Sequence, residues 1–314
     1  MFCTGFANIH QLGSFVPDKF LKQIDDPTTI ITAIDVAVRF PEILEACRIK
    51  YSGDIATFKN LVAHARSSDD LLDSIRSRTH SAERRMALLK IFRRAVSPVI
   101  DTEMAKKIKK VSTVSLISAF GHTFKPITVL KSQFSNLTAD QEAALAALIG
   151  EYDTRGQLGY LLTSEFFQWF ESHFRDVFTI EGPRGAGRDI ELSTLFAAFE
   201  GNYPCDFIVR SACDNVLRAI GFARYDSTRG GAQSDDRTGG NSDKVSKARE
   251  FSKLSGEKFR IIFLADGPGL GHRDTWAEAV RLDGSYDGNV RVCTLKTAGQ
   301  RITADWLLGN CQEF

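Results

Sequence analysis

The sequence predicts an α/β (α+β) protein: a mainly helical N-terminal domain over residues 1–150, then a C-terminal domain over residues 151–314 with a mixed sheet flanked by helices. Three observations predict it. Before Gly150, apolar residues recur at spacings of three and four, the period of a helix with one buried face. After Gly150, short β-branched and aromatic runs appear between Gly, Pro and Asp residues. These runs alternate with helical patterns, the order that builds a sheet covered by helices.

Taken in order, residues 29–50 read as a helix carrying Ile30, Ile31, Ile34 and, past Pro41, Ile43, Leu44 and Cys47. Ser67-Ser68-Asp69-Asp70 caps a helix bearing Leu71, Leu72 and Ile75, and Ser81 opens a longer one through Phe92. Val111–Ile117 is β-branched enough for a short strand. Thr138-Ala139-Asp140-Gln141 is a capping-box opening to the helix that ends near Ile149. In the second half, Tyr160–Phe170 is an aromatic helix and Asp189–Phe199 another. Cys205–Val209, Asn215–Tyr225, Arg260–Ala265 and Val290–Leu295 are strands, the second interrupted by Gly221. Residues 226–243 hold Gly pairs and four Asp without a large apolar residue, so they read as an exposed loop. Ser246–Leu254 and Thr275–Val280 complete the helices.

Composition excludes several classes. No apolar run approaches the length of a membrane span, and Met-Phe-Cys-Thr-Gly does not open a secretory signal. Cys3, Cys47, Cys205, Cys213, Cys293 and Cys311 are scattered without Cys-x-x-Cys spacing, which argues against a zinc ribbon or disulfide framework and fits a cytoplasmic protein. The 40 basic and 39 acidic residues sum to +1. The balance is uneven: residues 1–150 carry 20 basic and 15 acidic side chains, a net of +5, which leaves −4 for the rest. Arg84, Arg85, Lys90, Arg93, Arg94, Lys106, Lys107, Lys109 and Lys110 read either as solvated helix faces or as a surface for phosphates. The six histidines are isolated and there is no Gly-x-Ser-x-Gly elbow. Asp266-Gly-Pro-Gly-Leu-Gly-His272 completes neither a dinucleotide fingerprint nor a P-loop, and reads as a tight turn closing the sheet.

The chemistry-bearing residues gather around Asp206 and the run Ala223–Arg237. An Asp on one short strand and a polar cluster ending the next can set carboxylates around one divalent cation. Such an oxygen-rich site favours Mg²⁺. Phosphodiester hydrolysis uses that ion to position water and stabilise charge, and Arg224, Arg229, Arg237 and Lys244 are cations at hand. The alternative reading of the run is a charge-balanced surface loop. Gly182-Pro-Arg-Gly-Ala-Gly-Arg188 reads either as a helix-entry loop or as a phosphate contact through Arg184 and Arg188.

The order of these pieces narrows the reading. A helix with Glu191, a strand with Asp206, a second strand running into Ser227-Thr-Arg-Gly-Gly-Ala-Gln233, a helix, and Phe263-Leu-Ala-Asp-Gly-Pro-Gly-Leu270 follow one another. Over roughly residues 180–300 this succession resembles the catalytic core of type II restriction endonucleases of the PD-(D/E)xK superfamily. The resemblance implies a restriction-endonuclease-like sheet and Mg²⁺-dependent hydrolysis of double-stranded DNA. It also implies a homodimer matched to a palindromic site and a cognate DNA methyltransferase in the same system. Asp206 then ligates the metal, with Asp226 and Glu191 as partners, while Arg224 and Arg229 face the scissile phosphate. Gln233, Asp235, Asp236 and Arg237 read base edges. The family's Asp/Glu-x-Lys is missing, because Ala223 or a neighbour stands at its acid position. Either the acid has moved, to Asp226 or Glu191, or the protein binds DNA without cutting it. A third reading is a protein–protein adaptor.

Overall fold

The computed structural model describes residues 19–35, 38–151, 153–185, 187–227 and 233–309. The chain forms two compact units: residues 36–155, and residues 1–35 together with 156–314. The sequence boundary near 150 falls close to one edge of this division, but the segment ending at Asp35 goes with the sheet-bearing unit.

The first unit is helical. It contains α1 (Glu42–His64), α2 (Ser68–Ile75), α3 (Ala82–Ala95), α4 (Thr102–Ala105), α5 (Thr113–Phe120), α6 (Ile127–Ser135) and α7 (Ala139–Gly150). Its caps are the ones the sequence spells. The Ser67 and Ser81 hydroxyls accept from the backbone N–H of Asp70 and Arg84, and Thr138 with Gln141 forms a complete capping box. The core holds Ile55, Phe58, Leu71, Leu72, Leu88, Phe92 and Leu130.

Two expectations fail in and beside this unit. Residues 29–50 are not one helix: the chain makes a 3₁₀ turn at Pro27–Ile30, runs extended through Asp35, and turns helical only at Glu42. Pro41 disfavours helix for the residue before it. Long-range bonds then fix the extended stretch, because Tyr225 Oη accepts from the Ile34 N–H at 3.1 Å and donates to the Thr32 carbonyl at 3.1 Å. Val111–Ile117 is not a strand either. Ser112 caps α5 by accepting from the Ser115 N–H, and that local bond outweighs the β-branched composition.

The second unit begins within α8 (Asp153–His173), which buries Leu162, Phe166, Phe167 and Phe170. There follow β1 (Phe178–Glu181), β2 (Ile190–Glu191), α9 (Leu192–Leu195), β3 (Pro204–Cys205), β4 (Phe207–Ser211), β5 (Leu217–Tyr225), α10 (Gln233–Ser255), β6 (Arg260–Asp266), α11 (Arg273–Leu282) and β7 (Val290–Cys293). The main sheet has the order β1-β4-β5-β6-β7, antiparallel from β1 to β5 and parallel from β5 to β7. This is a mixed helix-and-sheet α/β unit. Alternation along the strands sends Ile208, Ile220, Phe222, Ile261 and Phe263 to one core, and Phe207, Val209, Ala219, Ile262 and Leu264 to the other. Both faces of β6 are covered, hence its continuous apolar run. Gly221 leaves room for the Phe207 ring, whose Cζ lies 1.9 Å from where a Cβ would sit.

Two further readings need correction. The expected helix Asp189–Phe199 shrinks to the single turn of α9, because Ile190–Glu191 pair with Pro204–Cys205 in a separate two-stranded ladder. The expected loop 226–243 turns helical at Gln233. Downstream Val245, Ala248 and Phe251 pack on the core, and the helix they anchor continues back through Gly239 and Gly240, at about 1 kcal/mol for each glycine. The Asp266 turn is as read: Pro268–Gly271 forms a 3₁₀ turn after Gly267, whose φ of 96° suits glycine. Among the described residues no helix is long and apolar enough to cross a membrane.

Candidate functional site

Asp206 sits at the junction of β3 and β4, opposite the far end of β5. Its backbone N–H donates to the Gly221 carbonyl at 2.9 Å, and its Oδ2 accepts from the Ala223 N–H at 2.7 Å. The carboxylate is therefore fixed against the strand position at which the sequence lacks an acid. Burial raises its pKa above the usual aspartate value, the Ala223 N–H counteracts, the Asp189 charge raises it further, and Lys244 lowers it.

Lys244 comes from α10. Tyr203 Oη donates to its carbonyl at 3.0 Å, which anchors the helix at this point. Its Nζ lies 3.6 Å from the centre of the Phe222 ring, a cation–π contact on the strand carrying Ala223. Burial lowers the amine's pKa, and Asp206, Cys205 and Asp189 oppose that shift. Cys205, deep in the core, has its thiol pushed up to about 12, chiefly by burial, and is inert at neutral pH. The assembled set is Asp206 and Lys244, both half-buried, with the exposed Asp189 within reach of their charges.

The remaining sequence candidates divide clearly. Glu191 does not join Asp206 through any hydrogen bond; its Oε2 accepts from the Tyr203 N–H at 3.1 Å and braces the β2–β3 ladder. Asp226 lies three residues past Ala223, about 10 Å along an extended chain. Its Oδ1 accepts from both Arg224 Nε at 2.7 Å and Nη2 at 2.6 Å, so one carboxylate oxygen is clasped by two guanidinium N–H groups. Beside them Glu278 is only 8% exposed, and its Oε1 has no hydrogen-bond partner among the described residues. Arg184 pairs with Glu171 and lies over the Phe167 ring, while Arg188 is exposed. Arg229 lies outside the described residues. Gln233, Asp235, Asp236 and Arg237 fall in the first turns of α10, and their side chains are outside the described parts.

Sequence reasoning missed Asp189, which it used only to open a helix, and it set Lys244 among general cations. The only signal for either is a single charged residue beside an apolar one, Asp189-Ile190 and Lys244-Val245, which any amphipathic surface shows. Among the described residues no three His, Cys, Asp or Glu side chains come together as a metal-holding group, so the expected trio Asp206, Asp226 and Glu191 is not assembled. The residue types present, Asp206 and the exposed Asp189, are carboxylates of the kind Mg²⁺ takes. That ion takes one or two protein carboxylates and completes its shell with water and phosphate oxygens. No family model, curated protein or solved structure matches the chain.

Proposed function

We propose that the protein is a Mg²⁺-dependent endonuclease acting on double-stranded DNA, of the restriction type. The observation that carries the reading is half-buried Asp206, its Oδ2 held by the Ala223 N–H at 2.7 Å, with half-buried Lys244 of α10 over the Phe222 ring of the same strand β5. The frame supports it: three antiparallel strands, β1, β4 and β5, then helix α10, then the parallel strand β6. In this reading Lys244 supplies the cation that the missing Asp/Glu-x-Lys would have carried. It does so from a helix and not from the strand.

Asp206 and Asp189 would hold the ion, which when bound activates water and neutralises phosphate charge. Asp206 is preset for this by the Ala223 N–H, which fixes its oxygen without neutralising it. Lys244, in a low-dielectric setting over Phe222, stabilises negative charge developing on the phosphate more strongly than a solvated amine. Its lowered pKa also eases the transfer of a proton to or from the reacting water. Arg224, locked to Asp226, presents a fixed guanidinium beside the strand end and acts as a phosphate anchor.

The second reading is a non-catalytic DNA-binding protein, and Ala223 at the acid position favours it. Incubating mixed-sequence plasmid DNA with the protein, with and without Mg²⁺, separates the two. Discrete fragments that require Mg²⁺ and vanish with Asp206→Ala and Lys244→Ala support the endonuclease. Retarded, uncut DNA selects the second reading, and absence of any effect on DNA overturns both.

A further inference from the structure

The helical unit braces one of its two basic runs with a buried arginine. Arg76, 5% exposed, ends α2 and sends Nε to the Ala105 carbonyl at 2.8 Å and Nη1 to Thr113 Oγ1 at 2.7 Å, while Nη2 bonds the Val111 carbonyl. The two carbonyls bracket residues 106–110, so a single guanidinium holds both ends of the turn carrying Lys107, Lys109 and Lys110. Backbone bonds from Lys110 and Val111 to the Lys107 carbonyl close the turn internally. All three lysines are exposed, and none has an ion pair among the described residues; Lys106 alone is paired, with Glu103.

The other basic run is used differently. Arg84 pairs with Asp54, Lys90 with Asp153 and Arg94 with Glu151, so its charge is largely spent inside the unit. An open groove of about 640 Å³ lies beside the lysine turn, lined on one part by Arg76–His80 and reached from the turn by Ile108, with Thr113 just past it. Arg76 forms part of its lining and its acceptors are all neutral, so no carboxylate salt bridge cancels its charge. Exposed Arg78 is also in the lining, and Asp73 is its acid. A solvent-open groove flanked by three exposed lysines, unpaired among the described residues, and by exposed Arg78 fits an extended polyanion whose charges repeat along its length.

We propose that this groove and the lysine turn flanking it seat a stretch of the phosphodiester backbone of duplex DNA, with Lys107, Lys109, Lys110 and Arg78 against phosphate oxygens. The inference rests on the DNA-directed reading of the protein and assigns to the helical unit a sequence-independent share of the binding. Each phosphate contact adds about 0.9 to the slope of log affinity against log salt.

The test is fluorescence anisotropy of a labelled duplex in EDTA, from about 50 to 200 mM KCl, for the full chain and for the triple variant Lys107→Ala/Lys109→Ala/Lys110→Ala. Lys131→Ala, an exposed lysine on the same unit, serves as the charge control. The triple variant should keep its circular dichroism, lose roughly a hundredfold in affinity at 0.1 M salt, and show a slope shallower by about 2.7. Lys131→Ala should behave as the parent. If the parent binds and the triple variant matches its affinity and slope, the groove assignment is overturned while the nuclease reading stands. If the parent binds, the triple variant loses binding and no plasmid is cut with Mg²⁺, the groove stands and the catalytic reading falls. A parent that binds no DNA overturns both.

Discussion

In the helical unit, Asp153 receives Lys50 at 2.6 Å, Lys90 at 2.8 Å and the Tyr51 hydroxyl. In the sheet unit, Asp206 receives one backbone N–H, and the nearby Lys244 rests on an aromatic ring without a carboxylate in direct contact among the described residues. Burial acts on both aspartates in the same direction, yet the outcomes are opposite. Three donors overcome it at Asp153 and bring the carboxyl down to about 2, whereas Asp206 stays above the usual value. Charge neutralised in place holds a fold together. Charge left partly unanswered is costly to the fold and is available to something that binds.

The comparison can be broken at four points. The largest effect belongs to Asp206: Asp206→Ala should cut Mg²⁺-dependent cleavage on the order of 10³-fold or more. Asp206→Asn should do the same while leaving the melting temperature equal or higher, since a neutral amide is cheaper to bury. A clear drop in melting temperature for Asp206→Asn would make this carboxylate a structural one like Asp153. Next, Lys244→Met should slow cleavage on the order of 10²-fold. The rate profile should also move to higher pH, because Asp206 loses the charge that lowers its pKa. An unchanged profile would separate the two residues.

Asp153→Ala should destabilise the helical unit by about 2 kcal/mol in denaturant titrations, less than a fully buried pair because the carboxylate is 20% exposed. With its pKa depressed on folding, Asp153 contributes stability above the unfolded value. That contribution should fade as pH falls from about 4 toward 2, and should be missing from the variant's acid limb. The smallest effect is Glu278→Gln. Burial pushes this carboxyl up to about 7 against the pull of Arg281 and Arg224, and Asp226 adds to the rise. A carboxyl raised on folding contributes stability at low pH that is lost as pH rises from about 4.5 through about 7. The Gln variant should lack that decline in midpoint-versus-pH measurements.

What was legible in the sequence depended on the range of the interaction that fixes it. Caps at Ser67, Ser81 and Thr138 act over three residues, and the sequence displays them in full. The apolar strand Arg260–Asp266 was legible because burial on both faces leaves a continuous run. Residues 31–35 were misread as helix because their conformation is set by Tyr225 and Asp266, some two hundred residues away. Asp206 was legible as a lone acid leading a strand. The charges that act on it were not, because Asp189 and Lys244 come near it only once the β2–β3 ladder and α10 are in place. Asp226 and Glu191 looked suitable by residue type alone, and their partners turned out to be Arg224 and the Tyr203 amide.

The segment before α1 has a consequence for how the protein is made. Leu21 donates its backbone N–H to Asp283 at 3.1 Å, and Thr32 donates to Asp266 at 2.7 Å. Those carboxylates, each 1% exposed, also take the Val292 and Leu295 amides of the last part of the chain. The helical unit is drawn from one unbroken stretch, residues 36–155, while the segment with Leu21 and Thr32 must wait for carboxylates more than two hundred residues later in the sequence. During translation Leu21 and Thr32 therefore stay without these partners until Asp283 and Asp266 have left the ribosome.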